Sequence, residues 1–412
     1  MVQTSFSKTL TPIKIMTVVF SLLVAWASLS LSLVQVTRAS NFDFAMTLSS
    51  NDPVALSKKA DYLLSKGTTD PTRLKRIATL ADRSLVAQAL NASALRALLF
   101  ANAANRERGW QVQAAQLSNR ATRRDLGSNL WFIEDNVARD NIAGALSHYD
   151  LALRTSAESG PVLHPLLTSA LEEASIRAAL VPFIVKNPPW MSGFLWHAVG
   201  NSPSPSLIAD LLVKAKGSVG RSVTGDIEKA LLAKLVSTGQ SKQAQSFYTQ
   251  FKDADLSLVT SPQLTKASTS GMHSVMGWQS LGTSSANVNF SSAAGDAKPS
   301  MDIYAAPGDR QVVGRKLLFL GAGTHSFSAQ FGRIDLPAGA SVTWRLSCTT
   351  AQAQPVIWAS DALTPSSNDS FKAMLAVPAN CHAQYLDVEI AGGQTQQGAE
   401  VQVIGIEVKS AS

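Results

Sequence analysis

The stretch VARDNIAGALSHYDLALRTS, residues 137–156, sets a histidine, a tyrosine and an aspartate side by side. A histidine held by a carboxylate is a common base in hydrolytic chemistry, so His148 and Asp150 are weighed first. On a helix successive residues point about 100° apart, so these two face nearly opposite sides and cannot pair. Tyr149 takes the buried position between them, and the cluster reads as packing. The other histidines, at 164, 197, 273, 325 and 382, stand apart with no HExxH spacing. The chain has no GxSxG elbow, no phosphate-binding loop and no GxGxxG opening a helix. Glu134-Asp135 and Glu172-Glu173 are adjacent carboxylates that diverge on a helix and do not straddle a bond as glycosidase acids must. The chain is therefore read as a non-enzyme with no catalytic, cofactor or metal residues. A hydrolase would need His325 or His382 to meet a carboxylate and a serine in space.

Residues suited to binding are easier to find. Arg106, Arg108, Arg120, Arg123 and Arg124 concentrate positive charge over two expected helices, offset only by Glu107 and Asp125. They are placed to meet anionic glycan, lipid headgroups or an acidic partner, and in the plainer reading they are a solvated helix face. Trp278, Tyr304 and Tyr385 are the aromatics freest to offer a stacking platform to a sugar ring. Trp344 and Trp358 alternate with apolar neighbours and read as core. Trp190, Phe194 and Trp196 crowd into NPPWMSGFLWHAV, residues 187–199, which is read as a helix opening after Pro188-Pro189 and packing inward.

The elements that must position these residues differ along the chain. Ile15 to Val36 are 22 mostly apolar residues, and no charge falls between Lys14 and Arg38. About 20 such residues cross a membrane as a helix, whereas a signal peptide core has roughly 7–15. Residues 1–40 are read as a short cytoplasmic N-terminus and an uncleaved anchor; Thr37-Arg38-Ala39 is the alternative cleavage site. Lys8 and Lys14 precede the span and only Arg38 follows closely, which keeps the N-terminus inside and the body outside. That topology sets nucleic acid aside as a partner. The net charge of +7 lies in the first part: residues 273–412 hold 8 basic against 10 acidic side chains.

From about residue 52 the spacing predicts helix after helix. Asp52-Pro53 and Asp70-Pro71 each offer a cap followed by proline at the first helical position, and breaks are expected near Gly109, Gly127, Gly160, Pro188-Pro189 and Gly217. A degenerate unit recurs at offsets 0, 5, 9 and 12: Gly109, Ala114, Ser118, Ala121; Asp140, Ala145, Tyr149, Ala152; and Gly239, Ala244, Tyr248, Phe251. Residues 41–255 form this all-α domain, and the Ser- and Thr-rich stretch 256–271 reads as a linker.

Residues 272–412 alternate with period two. The clearest strands are SVTWRLSC, 341–348, and QYLDVEI, 384–390. Others are expected over 316–320, 325–331, 355–359, 371–377 and 400–408. Seven or eight short strands predict an antiparallel β-sandwich of jelly-roll type. The two cysteines, Cys348 and Cys381, are expected to pair in an oxidising compartment, closing an interval of 33 residues that holds the loop around Ser366–Asp369.

The recurring helical unit resembles the second half of a tetratricopeptide repeat, without the large aromatic expected early in its first helix. The sandwich, above all GAGTHSFSAQFGRIDLPAGASVTWRLSC (residues 321–348), resembles in outline the carbohydrate-binding modules of polysaccharide-handling proteins. The whole chain resembles a bacterial envelope protein. These resemblances imply a single-pass inner-membrane protein with its body in the periplasm. Its expected role is that of a scaffold or adaptor in envelope biogenesis, tied to polysaccharide synthesis or export, holding envelope proteins through the helical domain. The alternative is a glycan-binding protein acting through the sandwich, with polysaccharide as its partner.

Overall fold

The computed structural model describes residues 12–67, 69–102, 107–219, 221–291, 298–349, 354–364, 369–394 and 396–411. The chain divides into two compact units, Met1–Leu163 and His164–Ser412, and the division falls inside the helix Ser159–Ala170.

The first unit is helical. Its opening helix, Pro12–Thr37, includes a 24-residue apolar run, Lys14–Thr37, whose large side chains are exposed, Phe20 at 66% and Trp26 at 65% among them. At 1.5 Å per residue that run is about 36 Å long, enough for a hydrocarbon core of about 30 Å. It can span a membrane or serve as a signal sequence. Side-chain caps fix where the next helices begin. Asp52 accepts from the backbone N–H of Ala55 at 2.8 Å, Asp70 from that of Thr72, Asn91 from that of Ala94 and Asp125 from that of Ser128. Asn91 also donates to the hydroxyls of Ser57 and Ser84, both at 3.2 Å, and so ties three helices together. Leu56, Ile77, Leu80, Ala94 and Leu98 form the core beneath that bridge.

The helix breaks expected near three of the glycines fall just before them. Gly109, Gly127 and Gly160 are each the second residue of a helix, Arg108–Ala121, Leu126–Val137 and Ser159–Ala170. Gly217 lies in the last turn of Pro205–Val219. The Asp125 carboxylate starts its helix, and Gly127 serves packing, because a Cβ there would run into the Arg96 side chain. In the recurring unit Ala114, Ser118, Ala145, Tyr149 and Ala152 are all buried.

The second unit joins five more helices, from Ala174–Lys186 to Ser241–Thr249, to a sandwich of ten strands. The strands are β1 Trp278–Ser280, β2 Ala286–Ser291, β3 Ser300–Ala305, β4 Arg310–Leu318, β5 Gly323–Asp335, β6 Ser341–Cys348, β7 Val356–Ala359, β8 Ser370–Val377, β9 Gln384–Ala391 and β10 Ala399–Ser410. They form two antiparallel five-stranded sheets, ordered β1-β4-β9-β6-β7 and β2-β3-β10-β5-β8. Period-two alternation turns Val342, Trp344 and Leu346 of β6 and Leu386, Val388 and Ile390 of β9 inward against Phe327, Val401 and Val403. Cys348 and Cys381 are bonded to each other.

The stretch 256–271 holds two short helices and is packed down on the sandwich. Leu258 and Val259 are buried, the Val259 carbonyl accepts from the Phe319 backbone N–H, and the Pro262 carbonyl accepts from the Trp278 indole. Trp190 and Phe194 pack inward around the start of Met191–Asn201, while Trp196 is 47% exposed.

Candidate functional site

The outward face of the sheet β2-β3-β10-β5-β8 carries the most developed polar surface. The registers Asn287↔Tyr304↔Glu400↔Asp335 and Asn289↔Asp302↔Gln402↔Arg333 lay two polar rows across four strands. The residues alternating with them, Val288, Ile303, Val401 and Ile334, lie in the core or pack against it. The sequence alternation thus produces an apolar floor and a polar roof from the same strands.

The rows are tied together. Gln402 donates to Asp302 at 2.9 Å, Ser291 donates to the other oxygen of Asp302 at 3.1 Å, and Arg333 pairs with Glu400. A cavity of about 340 Å³ opens over them, walled by Asn287, Asn289, Asp302, Tyr304, Arg333 and Glu400. The half-buried Tyr304 ring lies beside Gly398, where a Cβ would come within 2.8 Å of the ring carbon Cε2. Glycine at 398 therefore gives the ring its room. A second depression of similar volume lies further along β5 and β10, with Gln330, Glu407 and Lys298 in its wall. Amides, carboxylates, a guanidinium and one aromatic ring within one shallow cavity can hydrogen-bond a polyhydroxylated ligand and stack against its ring. Shallow polar sites of this kind hold ligands by many modest hydrogen bonds, direct or through water.

Of the aromatics singled out in the sequence, Tyr304 is in this cavity and the other two are elsewhere. Trp278 is 3% exposed, donates its indole N–H to Pro262 at 2.9 Å and packs edge-on against Trp344. The expectation of an open platform there is corrected. Trp278 lies on β1, a strand too short to alternate visibly in the sequence, and it faces the core. Tyr385 is on the outer face of the opposite sheet, half-buried beneath Arg315, whose guanidinium lies 4.5 Å from the ring centre. Burial pushes the Tyr385 phenol up from its usual range. Arg315 is held in turn by Asp387 through two bonds of 2.7 and 2.8 Å, so the protein itself covers that ring. Trp344 is core as expected, and Trp358 is partly buried against the same core.

The arginines separate. Arg106 lies outside the described residues. Arg108 forks onto Asp135 at 2.8 and 3.0 Å, and this bond, more than that of Arg139, holds the Asp135 carboxyl below the ordinary carboxylate range. Arg124 is exposed. Arg120 and Arg123 share the wall of a cavity of about 500 Å³ with Phe132 and His148. His325 is buried with Nε2 2.8 Å from the Gly321 carbonyl, and His382 is exposed. Neither joins a carboxylate and a serine in the cavities described here.

One residue escaped sequence reasoning entirely. Lys316 on β4 is fully buried, and its ammonium donates to the carbonyls of Leu258, Met276 and Leu317. Desolvation pushes it down to about 7, partly opposed by the charge of Asp255. It pins the 256–276 stretch to the sheet. Beside it the Tyr248 hydroxyl meets His273 Nδ1 at 3.0 Å. Burial moves both groups away from their charged forms, Tyr248 up to about 12 and His273 down.

No family model matches this chain, and no curated protein matches it. Among solved structures, the C-terminal β-sandwich resembles carbohydrate-binding modules. A family 4 module matches at 15% identity over 31% of this chain and 78% of its own, with a TM-score of 0.23. The family 22 xylan-binding domain of a Paenibacillus barcinonensis protein matches at 11% identity over 33% and 88%, with a TM-score of 0.24. A family 61 module in complex with beta-1,4-galactotriose matches at 10% identity over 36% and 99%, with a TM-score of 0.26.

Proposed function

We propose that this chain is a membrane-anchored glycan-binding protein that holds a saccharide on the outward face of β2-β3-β10-β5-β8. The observation that carries the reading is the cavity over two cross-strand polar rows, with the Tyr304 ring given room by Gly398. Core-facing alternation would be satisfied by any small polar residue outside, whereas this face groups amides, charged side chains and an aromatic in one place.

The proposal includes an inner-membrane anchor and a periplasmic body. The apolar helix Pro12–Thr37 supports the first, and the Cys348–Cys381 bond supports an oxidising compartment. A tetratricopeptide-like character of the helical repeat also belongs to it, supported by the buried small and aromatic positions of the recurring unit. A scaffold role in envelope biogenesis has no comparable support among the described residues.

The test is a glycan array probed with the purified full chain and its Tyr304→Ala and Asp302→Ala variants. Retention of a defined glycan class, lost or weakened about tenfold in both variants, is the expected result; each lost hydrogen bond or stacking contact is worth roughly 1–1.5 kcal/mol. Binding by the variants equal to wild type would overturn the site, and no retained glycan would overturn the function.

A further inference from the structure

The helical unit holds a second cavity, and its chemistry is different. It is an open depression of about 500 Å³ lined by the helices Arg108–Ala121, Leu126–Val137 and Ile142–Thr155 and by the turn at Arg123. One wall supplies Arg120 and Arg123, both exposed and neither in an ion pair among the described residues. The carboxylates near them are already engaged: Asp125 by Arg96, Asp135 by Arg108 and Arg139, Asp150 by Arg154. Among the described residues neither guanidinium is neutralised by an ion pair of its own.

The rest of the lining is neutral. Phe132 stacks against the His148 ring, centroids 4.4 Å apart and planes 9° from parallel, and Leu151 adds apolar surface. Asn119 lines the cavity and carries a buried side-chain oxygen with no hydrogen-bond partner among the described residues, and an unmet acceptor of this kind calls for a donor. The tautomer of His148 follows from its neighbour. Asn129 donates its amide N–H to the Asp125 carbonyl at 3.0 Å, so its oxygen, 3.2 Å from His148 Nδ1, is the acceptor. Nδ1 carries the hydrogen, and Nε2 is left as a free acceptor in the neutral ring. Burial pushes His148 below its usual range and favours that neutral form.

A ligand for this cavity must bring an anion for the guanidiniums, hydrogen-bond donors for Asn119 and His148, and an apolar face for Phe132 and Leu151. A uronate ring carries all three on one rigid unit, whereas a peptide must gather them from separate, flexible groups. We infer that the cavity lined by Arg120, Arg123, Asn119, His148 and Phe132 is a binding site for an acidic saccharide, with the uronate carboxylate on the arginines and the ring hydroxyls on the amide and imidazole. Arginine is the residue suited to forked recognition of a carboxylate. The site does not depend on the sheet-face reading, since it uses no residue of the sandwich.

The test is isothermal titration calorimetry at low salt on the full chain, held in a detergent without a sugar headgroup. The probes are the disaccharides of galacturonate, mannuronate and glucuronate, with lactose as the neutral control and triglutamate as the acidic-peptide control. At least one diuronate is expected to bind ten times more tightly than lactose or triglutamate. Arg120→Gln and Arg123→Gln should each weaken it about tenfold or more, the loss of a charge-assisted hydrogen bond. Both arginines are exposed and unpaired, so these variants keep the fold, which circular dichroism checks. Tyr304→Ala should leave diuronate binding unchanged, which separates failure here from failure on the sheet face. Equal binding of lactose, equal or tighter binding of triglutamate, or unchanged affinity in both arginine variants would overturn the inference.

Discussion

Replacing Lys316 with methionine exchanges a buried ammonium for an apolar chain of similar length, and the consequence depends on pH. In the fold the side chain is fully buried, and desolvation pushes it down to about 7 from an ordinary 10.5. Between those two values the folded protein binds fewer protons than the unfolded chain. Raising the pH through this window therefore favours folding. Below pH 7 the full penalty of holding the ammonium out of water is in force; above 10.5 it is gone. At about 1.4 kcal/mol per pH unit, the swing is roughly 5 kcal/mol. That is an upper limit, because the carbonyls of Leu258, Met276 and Leu317 hold the ammonium and oppose desolvation. Methionine does not titrate, so the stability of wild type minus that of Lys316→Met isolates the effect. The tyrosines that also titrate are common to both proteins and cancel. Urea unfolding at pH 7, 8, 9 and 10, followed by tryptophan fluorescence, gives the difference directly. It should move in favour of the wild type as pH rises, with a slope approaching 1.4 kcal/mol per pH unit. A difference independent of pH would refute the reasoning, since it would mean that burial leaves this lysine's proton affinity unchanged.

Three further outcomes follow from the packing. Trp344→Ala removes a 2%-exposed indole between Trp278 and Phe327 and should cost about 3–5 kcal/mol, read as loss of near-UV circular dichroism from the sandwich; an unchanged melting point would contradict its core position. Replacing Cys348 and Cys381 together with serine opens a 33-residue interval and should lower stability by about 3–4 kcal/mol in denaturant unfolding, with no loss meaning that the bond leaves the unfolded chain unconstrained. Gly398→Ala drives a methyl into the Tyr304 ring and should weaken glycan binding about as much as Tyr304→Ala, while retained affinity would remove Tyr304 from the site.

Much of the fold was legible because local patterns were strong. SVTWRLSC coincides with β6, and QYLDVEI lies within β9, since both strands alternate cleanly between core and surface. Asp52 and Asp70 cap where their spacing before proline predicted. His148 and Tyr149 stand as the helix period required, the tyrosine buried and the histidine beside it half-exposed. The candidate site was barely legible. Its strands β2 and β3 read ANVNFS and SMDIYA, and their outward Asn and Asp side chains look like turn formers in a single sequence. Only Tyr304 was singled out there, as a lone aromatic.

The sequence by itself determined the apolar N-terminal helix, the change from helical to strand period near residue 272, and which face of each long strand would be apolar, because each depends on neighbours a few residues apart. Tertiary structure decided the rest. It placed Arg333, Gln402, Asp302 and Asn289 in one row from four strands, set Tyr385 under Arg315 and turned Trp278 inward. It also brought two distant carbonyls, those of Leu258 and Met276, onto the ammonium of Lys316. Strand register and the packing of one element on another bring together residues dozens of positions apart, and periodicity along the chain carries no information about those distances.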